Sequence, residues 1–100
     1  MADEPKSMSE VAVLMRQSLP AGVSPSEFGD RIGWGRGSDD ALERMKTITA
    51  TELAQIGLTA ETATHGAIAY EAVLQMMPNN PSARGRAALM RHAATLLAGK

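Results

Sequence analysis

The chain has 100 residues, 44% of them hydrophobic and 21% charged, with a net charge of −1 and no cysteine. That length makes one domain, with room for a single core but not for a core plus a deep substrate cleft, so an enzyme is disfavoured. The near-zero charge supplies no global field for nucleic acid or an anionic membrane, and the lack of cysteine excludes disulfides and thiolate metal sites.

Phe28, Trp34 and Tyr70 are the only aromatics, and an apolar content carried mainly by Ala, Leu and Met favours helix over strand. The opening MADEPKSMSE is acidic and polar, without the apolar core of a signal peptide, and no run approaches the roughly 20 apolar residues of a membrane span. The expected location is the cytoplasm, or outside the cell by a route that cleaves no signal. Residues 1–6 are expected to form a mobile tail ahead of a single helical domain over 7–98.

Helix-start signals recur along that domain, each pairing a side-chain acceptor with the free amides of a first turn. Ser7 with Glu10 opens a first helix whose Met8, Val11, Leu14, Met15 and Ser18 follow helical spacing, ended by PAGVSP. Ser24, Pro25 and Glu27 open a short second helix to about Ile32, with Gly33 as its stop. Ser38 is expected to cap a third, with Ala41, Leu42 and Met45 inward and Asp39, Asp40 and Glu43 wet.

Thr49 with Glu52 forms a capping box for a fourth helix, closed by Gly57 in a left-handed cap with Leu58 folding back. Thr59 starts the main helix. Ala63, Gly66, Ala67, Tyr70, Val73 and Met77 form its inward stripe, widened by Ile68, Ala72 and Met76, up to the break at Pro78. Asn80 as cap and Pro81 as first residue open a last helix with Ala83, Ala87, Met90, Ala94 and Leu97 inside, joined by Leu89, Ala93 and Leu96. The expected fold is all-α: a compact orthogonal bundle of five or six short helices with no sheet.

Between the second and third helices stands GWGRG, residues 33–37. Glycines before a helix start suggest a phosphate loop, but Asp39 and Asp40 already face that helix end, and the spacing fails both the dinucleotide and the P-loop fingerprints. Two readings stay open. Trp34 folds onto the core at a flexible corner, or Trp34 and Arg36 stand exposed as anchors for a partner.

TATELAQIGLTAETATHGAIAYEA looks at first like a helix-turn-helix, yet Ala54 and Gly57 are three apart instead of four, and the second helix carries Glu61 and Glu71 without Lys or Arg. Nucleic-acid binding is therefore a minor alternative. Acids dominate from Thr47 to Pro78, whereas Arg84, Arg86, Arg91 and Lys100 follow with no acid. Either the two faces complement each other within the fold, or Arg84, Arg86 and Arg91 offer a basic surface to an acidic partner.

For catalysis, the least implausible set is His65 with Glu61 one turn before it and Tyr70 beyond, although a histidine among alanines is more often structural. His92 follows Arg91 and reads as surface. No histidine pair has metal-ligand spacing, so neither metal nor cofactor is expected. The Ala/Gly stripe and the seven methionines also leave room for a homo-oligomer.

FGDRIGWGRGSDDALERM, TATELAQIGLTAETA and NPSARGRAALMRHAATLL together resemble small helical domains of unknown function in bacterial proteins, in which a WG segment is followed by GLT and then NP-A--RA-LM. The resemblance covers about residues 26–97. It implies a bacterial or phage origin and an association with toxins and secreted effectors, and it brings no catalytic residues. The leading expectation is a protein-interaction module, as an accessory or targeting domain of such an effector; the rival is a small effector enzyme.

Overall fold

Four of the six helix starts among the described residues are set by hydroxyl side chains. In the computed structural model, which describes residues 7–99, the Ser7 hydroxyl accepts the Glu10 amide at the head of α1 (Met8–Ser18). Ser24 does the same for Glu27 at α2 (Pro25–Ile32), with Pro25 in the first turn where its missing N–H costs nothing. After them come α3 (Ser38–Met45), α4 (Ala50–Ile56), α5 (Ala60–Met76) and α6 (Ala83–Ala98), and no strand occurs among the described residues. The expected tail at residues 1–6 lies outside the described residues.

Thr49 and Glu52 form the expected reciprocal capping box on α4, and Thr59 forms a second one on α5 with Thr62 as its partner. Gly57 closes α4 at φ 102°, and the Leu58 amide returns to the Leu53 carbonyl while the Leu58 side chain is buried. That is the left-handed cap with its apolar contact.

Helices of seven or eight residues, as α2, α3 and α4 are, do not persist alone, so packing must hold them. They lie around the two long helices, α5 and α6. One core joins Phe28, Ile32, Trp34, Ala41, Ile48, Leu53 and Leu58 to the inner faces of α5 and α6 around Ala63, Ala67, Leu89 and Met90. Burying each large member contributes about 1.5–3 kcal/mol.

The second cluster sets Val11 of α1 against Ala69, Ala72 and Val73 of α5 and Ala83 of α6. At the other end of α1, a Cβ built on Gly66 would lie 3.3 Å from the Ser18 Cβ, so α1 runs antiparallel to α5. With a radius of gyration of 12.3 Å, the chain has the dimensions of one folded domain.

Some sequence expectations fail locally. Ser38 does not cap α3: Gly37 stands at the cap, and the Ser38 hydroxyl instead donates to the Pro81 carbonyl and accepts the Gly85 amide at 2.9 Å. It thereby ties α3 to the start of α6. That closeness explains Gly85, because a Cβ there would collide with the Ser38 backbone.

Asn80 gathers the Ser82 and Ala83 amides as expected, but α6 begins at Ala83 and not at Pro81. Leu42, Met8, Met76 and Met77, all assigned to inward stripes, are exposed. Met8 opens α1, Met76 and Met77 stand at the end of α5, and Leu42 is exposed next to the buried Ala41 on α3.

Candidate functional site

The GWGRG corner forms because α2 ends with Gly33 in a left-handed conformation at φ 77° and Gly35 repeats it at φ 67°. Only glycine takes such angles freely. At Gly35 a side chain would also run into Asp40, whose carboxylate accepts the Arg36 amide at 3.3 Å. The loop amide is thus taken by a side chain of the chain's own.

These turns swing Trp34 back over α2. Its ring meets Phe28 edge-on at 5.4 Å and Tyr70 of α5 edge-on at 5.5 Å, the geometry that aromatic quadrupoles favour. The Arg86 guanidinium of α6 lies over the indole, 4.6 Å from the ring centre. Gly29 makes room for the ring, since a Cβ there would lie 2.8 Å from the indole nitrogen.

Of the two readings of Trp34, the ring folded onto the core is the one observed, and it does not stand exposed as an anchor. It is 6% exposed and belongs to the core. It also forms a wall shared by two adjoining concavities. One is an apolar cavity of about 100 Å³ whose lining includes Met15, Leu19, Phe28 and Met90. The other is an open groove of about 500 Å³ lined by Ser26, Asp30, Arg36 and Arg86 among others. Pro25, Trp34 and Tyr70 line both.

Arg86 has few partners for a half-buried cation. One terminal N–H donates to the Gly35 carbonyl at 3.4 Å, while its Nε is buried with no hydrogen-bond partner. No carboxylate pairs with it among the described residues. Burial raises the Tyr70 hydroxyl above the ordinary tyrosine pKa, and the Arg86 charge and its hydrogen bond to the Tyr70 oxygen offset part of that rise.

Of the five residues expected at a partner surface, Trp34, Arg36 and Arg86 line the same groove. Arg91 does not join them: its Nε and a terminal nitrogen grip both Glu71 oxygens, at 3.2 and 2.7 Å, bracing α6 on α5. Arg84 is exposed on α6. Of the residues considered for catalysis, Tyr70 faces this groove, whereas Glu61 and His65 line neither concavity. His65 Nδ1 is buried without a hydrogen bond, so Glu61 does not hold it as a general base would be held.

Among the described residues, no group of three or more His, Asp or Glu is placed to hold a metal ion, and no helix is long and apolar enough to cross a membrane. Sequence reasoning did not assemble the groove. Ser26 and Asp30 carried no motif, Tyr70 was assigned to another set, and nothing in local spacing announces that Arg86 will lie over a tryptophan with α3, α4 and α5 in between.

Residues 4–97 match a family described as a domain of unknown function (DUF4951), and the chain belongs to that family. No curated protein and no solved structure matches it.

Proposed function

We propose that this DUF4951 chain is a protein-interaction module that receives a segment of its partner in the groove between α2, the GWGRG loop, Tyr70 and Arg86. The observation that carries this reading is the state of Arg86: a half-buried guanidinium whose Nε has no acceptor and whose charge has no counter-ion among the described residues. A buried N–H left unpaired costs about 1–3 kcal/mol, and the indole beneath returns about 1 kcal/mol through the cation–π contact. The part of the guanidinium that lines the groove is open to an incoming acceptor that would balance its charge.

Convergence of Trp34, Tyr70 and two arginines on one concave surface supports the same reading, because tryptophan, tyrosine and arginine are the residues that carry most binding energy at interfaces. The resemblance of the WG, GLT and NP words to effector-associated bacterial domains is what supports assigning the module to such a protein, as its accessory or targeting unit.

Selection of a random-peptide display library on the immobilised protein tests the proposal, with Trp34, the chain's only tryptophan, as a built-in fluorescent reporter. Enriched peptides are expected to shift Trp34 emission saturably and to lose most of their affinity for Arg86→Gln. Peptides that bind wild type and Arg86→Gln alike and leave Trp34 emission unchanged would refute the groove as the binding surface.

A further inference from the structure

The groove and the cavity beside it differ in chemistry, and the difference specifies a ligand. The cavity is walled almost entirely by apolar atoms of Met15, Leu19, Phe28, Trp34 and Met90 and holds about 100 Å³. Dry apolar cavities only somewhat larger, about 150 Å³, accept benzene, so this one takes an aliphatic side chain of leucine or methionine size. The adjoining groove mixes polar and apolar lining, and its charged residues are two cations, Arg36 and Arg86, and one carboxylate, Asp30. Elsewhere in the fold the half-buried or braced arginines have their acid: Arg44 has Glu52 and Arg91 has Glu71. Arg86 lacks one.

Resting on the binding-module reading above, we infer that the ligand is an extended acidic segment within a partner polypeptide. One aliphatic side chain enters the cavity beneath Trp34, and a nearby aspartate or glutamate places its carboxylate on the terminal N–H groups of Arg86 at the groove wall. Recognition of acidic motifs by arginine is a recurring mode of peptide binding, and the planar guanidinium suits a carboxylate held by two hydrogen bonds. At about 500 Å³ the groove is of ordinary ligand-site size, far more than one terminal carboxylate fills, and it is open to solvent, so the chain continues through it. That favours an internal acidic residue over a free C-terminus. Arg36, exposed at the groove wall, adds long-range attraction and salt sensitivity more than contact energy.

The test uses synthetic heptapeptides, acetylated and amidated, that carry one leucine and one glutamate at every spacing from adjacent to a full helical turn, titrated against the intact chain by Trp34 emission. At least one spacing is expected to bind saturably below millimolar concentration. Changing its glutamate to glutamine should weaken binding about ten- to hundredfold, the worth of a charge-assisted hydrogen-bond pair, and changing its leucine to serine should weaken it comparably. Arg86→Gln should lose the preference for glutamate over glutamine, Arg36→Gln should reduce affinity a few-fold, and Arg84→Gln should leave it unchanged.

The peptide-side changes keep the test valid even if Arg86→Gln is poorly folded, which circular dichroism would reveal. Four results would overturn the inference: no saturable binding at any spacing, equal binding of the glutamine peptides, binding that requires a free C-terminal carboxylate, or binding only when phosphoserine replaces glutamate. If the display selection still yields peptides that depend on Arg86 and Trp34 while the leucine–glutamate set fails, the ligand chemistry is wrong and the binding-module reading stands. If neither set engages the groove, both fall.

Discussion

Two arginines pack against the GWGRG loop, one at Gly33 and one at Gly35, and they are used in opposite ways. Arg44 lies against Gly33, and every nitrogen of its guanidinium has an acceptor: the Ile32 carbonyl at 2.8 Å, the Thr47 hydroxyl at 3.0 Å and the Glu52 carboxylate at 2.8 Å. Arg86 lies against Gly35 with a ring under it, one long contact to a carbonyl and a buried Nε with no partner. Arg44 is a brace, tying the end of α2 to the start of α4. Arg86 holds its place by stacking, with weak contacts to the Gly35 carbonyl and the Tyr70 hydroxyl and no carboxylate among the described residues to balance its charge. Residue type and partial burial are the same; the satisfaction of donors separates a structural cation from one available to a ligand.

The most severe way to break this contrast is to remove the ring between the two corners. Trp34→Ala should lower the unfolding free energy by about 3–5 kcal/mol, the usual loss for a large buried aromatic, measured by urea denaturation. A loss below about 1 kcal/mol would mean that the ring is not core. Arg44→Ala should cost about 2 kcal/mol, since it strips three acceptors of their donor at a site only partly shielded from water. Arg86→Gln should cost no more than about 1 kcal/mol, the value of the cation–π contact, offset by relief of the unpaired donor. If Arg86→Gln proves as costly as Arg44→Ala, the two arginines are equivalent braces and the distinction fails.

Smaller effects of pH separate the corners further. The hydrogen bond from Arg44, helped by Thr49, holds Glu52 below the usual carboxylate range. A depressed folded pKa stabilises the protein above the unfolded value, and that stability is lost as the pH falls through the folded value. The melting temperature of Glu52→Gln should therefore fall less steeply in acid than that of wild type. Tyr70 behaves inversely: burial raises its pKa, so its contribution is present below the unfolded tyrosine value and disappears as the pH rises through the folded one. Because Arg86 opposes that rise, Arg86→Gln should move the Tyr70 titration further upward, as read from tyrosinate absorbance in a chain with a single tyrosine.

The features legible in the sequence were those with short-range causes. Ser7, Ser24, Thr49 and Thr59 cap helices through amides three residues away, and Gly57 with Leu58 closes α4 by a backbone rule. Ser38 was misjudged because its partners, Pro81 and Gly85, are 43 and 47 residues distant, and a hydroxyl in a cap-like position carries no sign of a remote acceptor. The same limit applies to the groove. Trp34 and Arg36 drew notice as unusual residues between glycines, but Tyr70 and Arg86 reach them only after α5 and α6 have packed, and whether the indole was core or surface had no local answer. It is a core ring that forms a groove wall.

The most direct measurement is the nitrogen-15 NMR signal of the arginine Nε–H groups, with and without a peptide that the groove binds. The Arg86 Nε–H resonance should shift with the same saturation as Trp34 emission, because a carboxylate on the neighbouring terminal N–H groups changes the charge environment of the whole guanidinium, while the Arg44 resonance should stay in place. Binding that moves neither signal, or moves Arg44 and leaves Arg86 unchanged, would contradict the assignment of Arg86 as the cation held ready for the ligand.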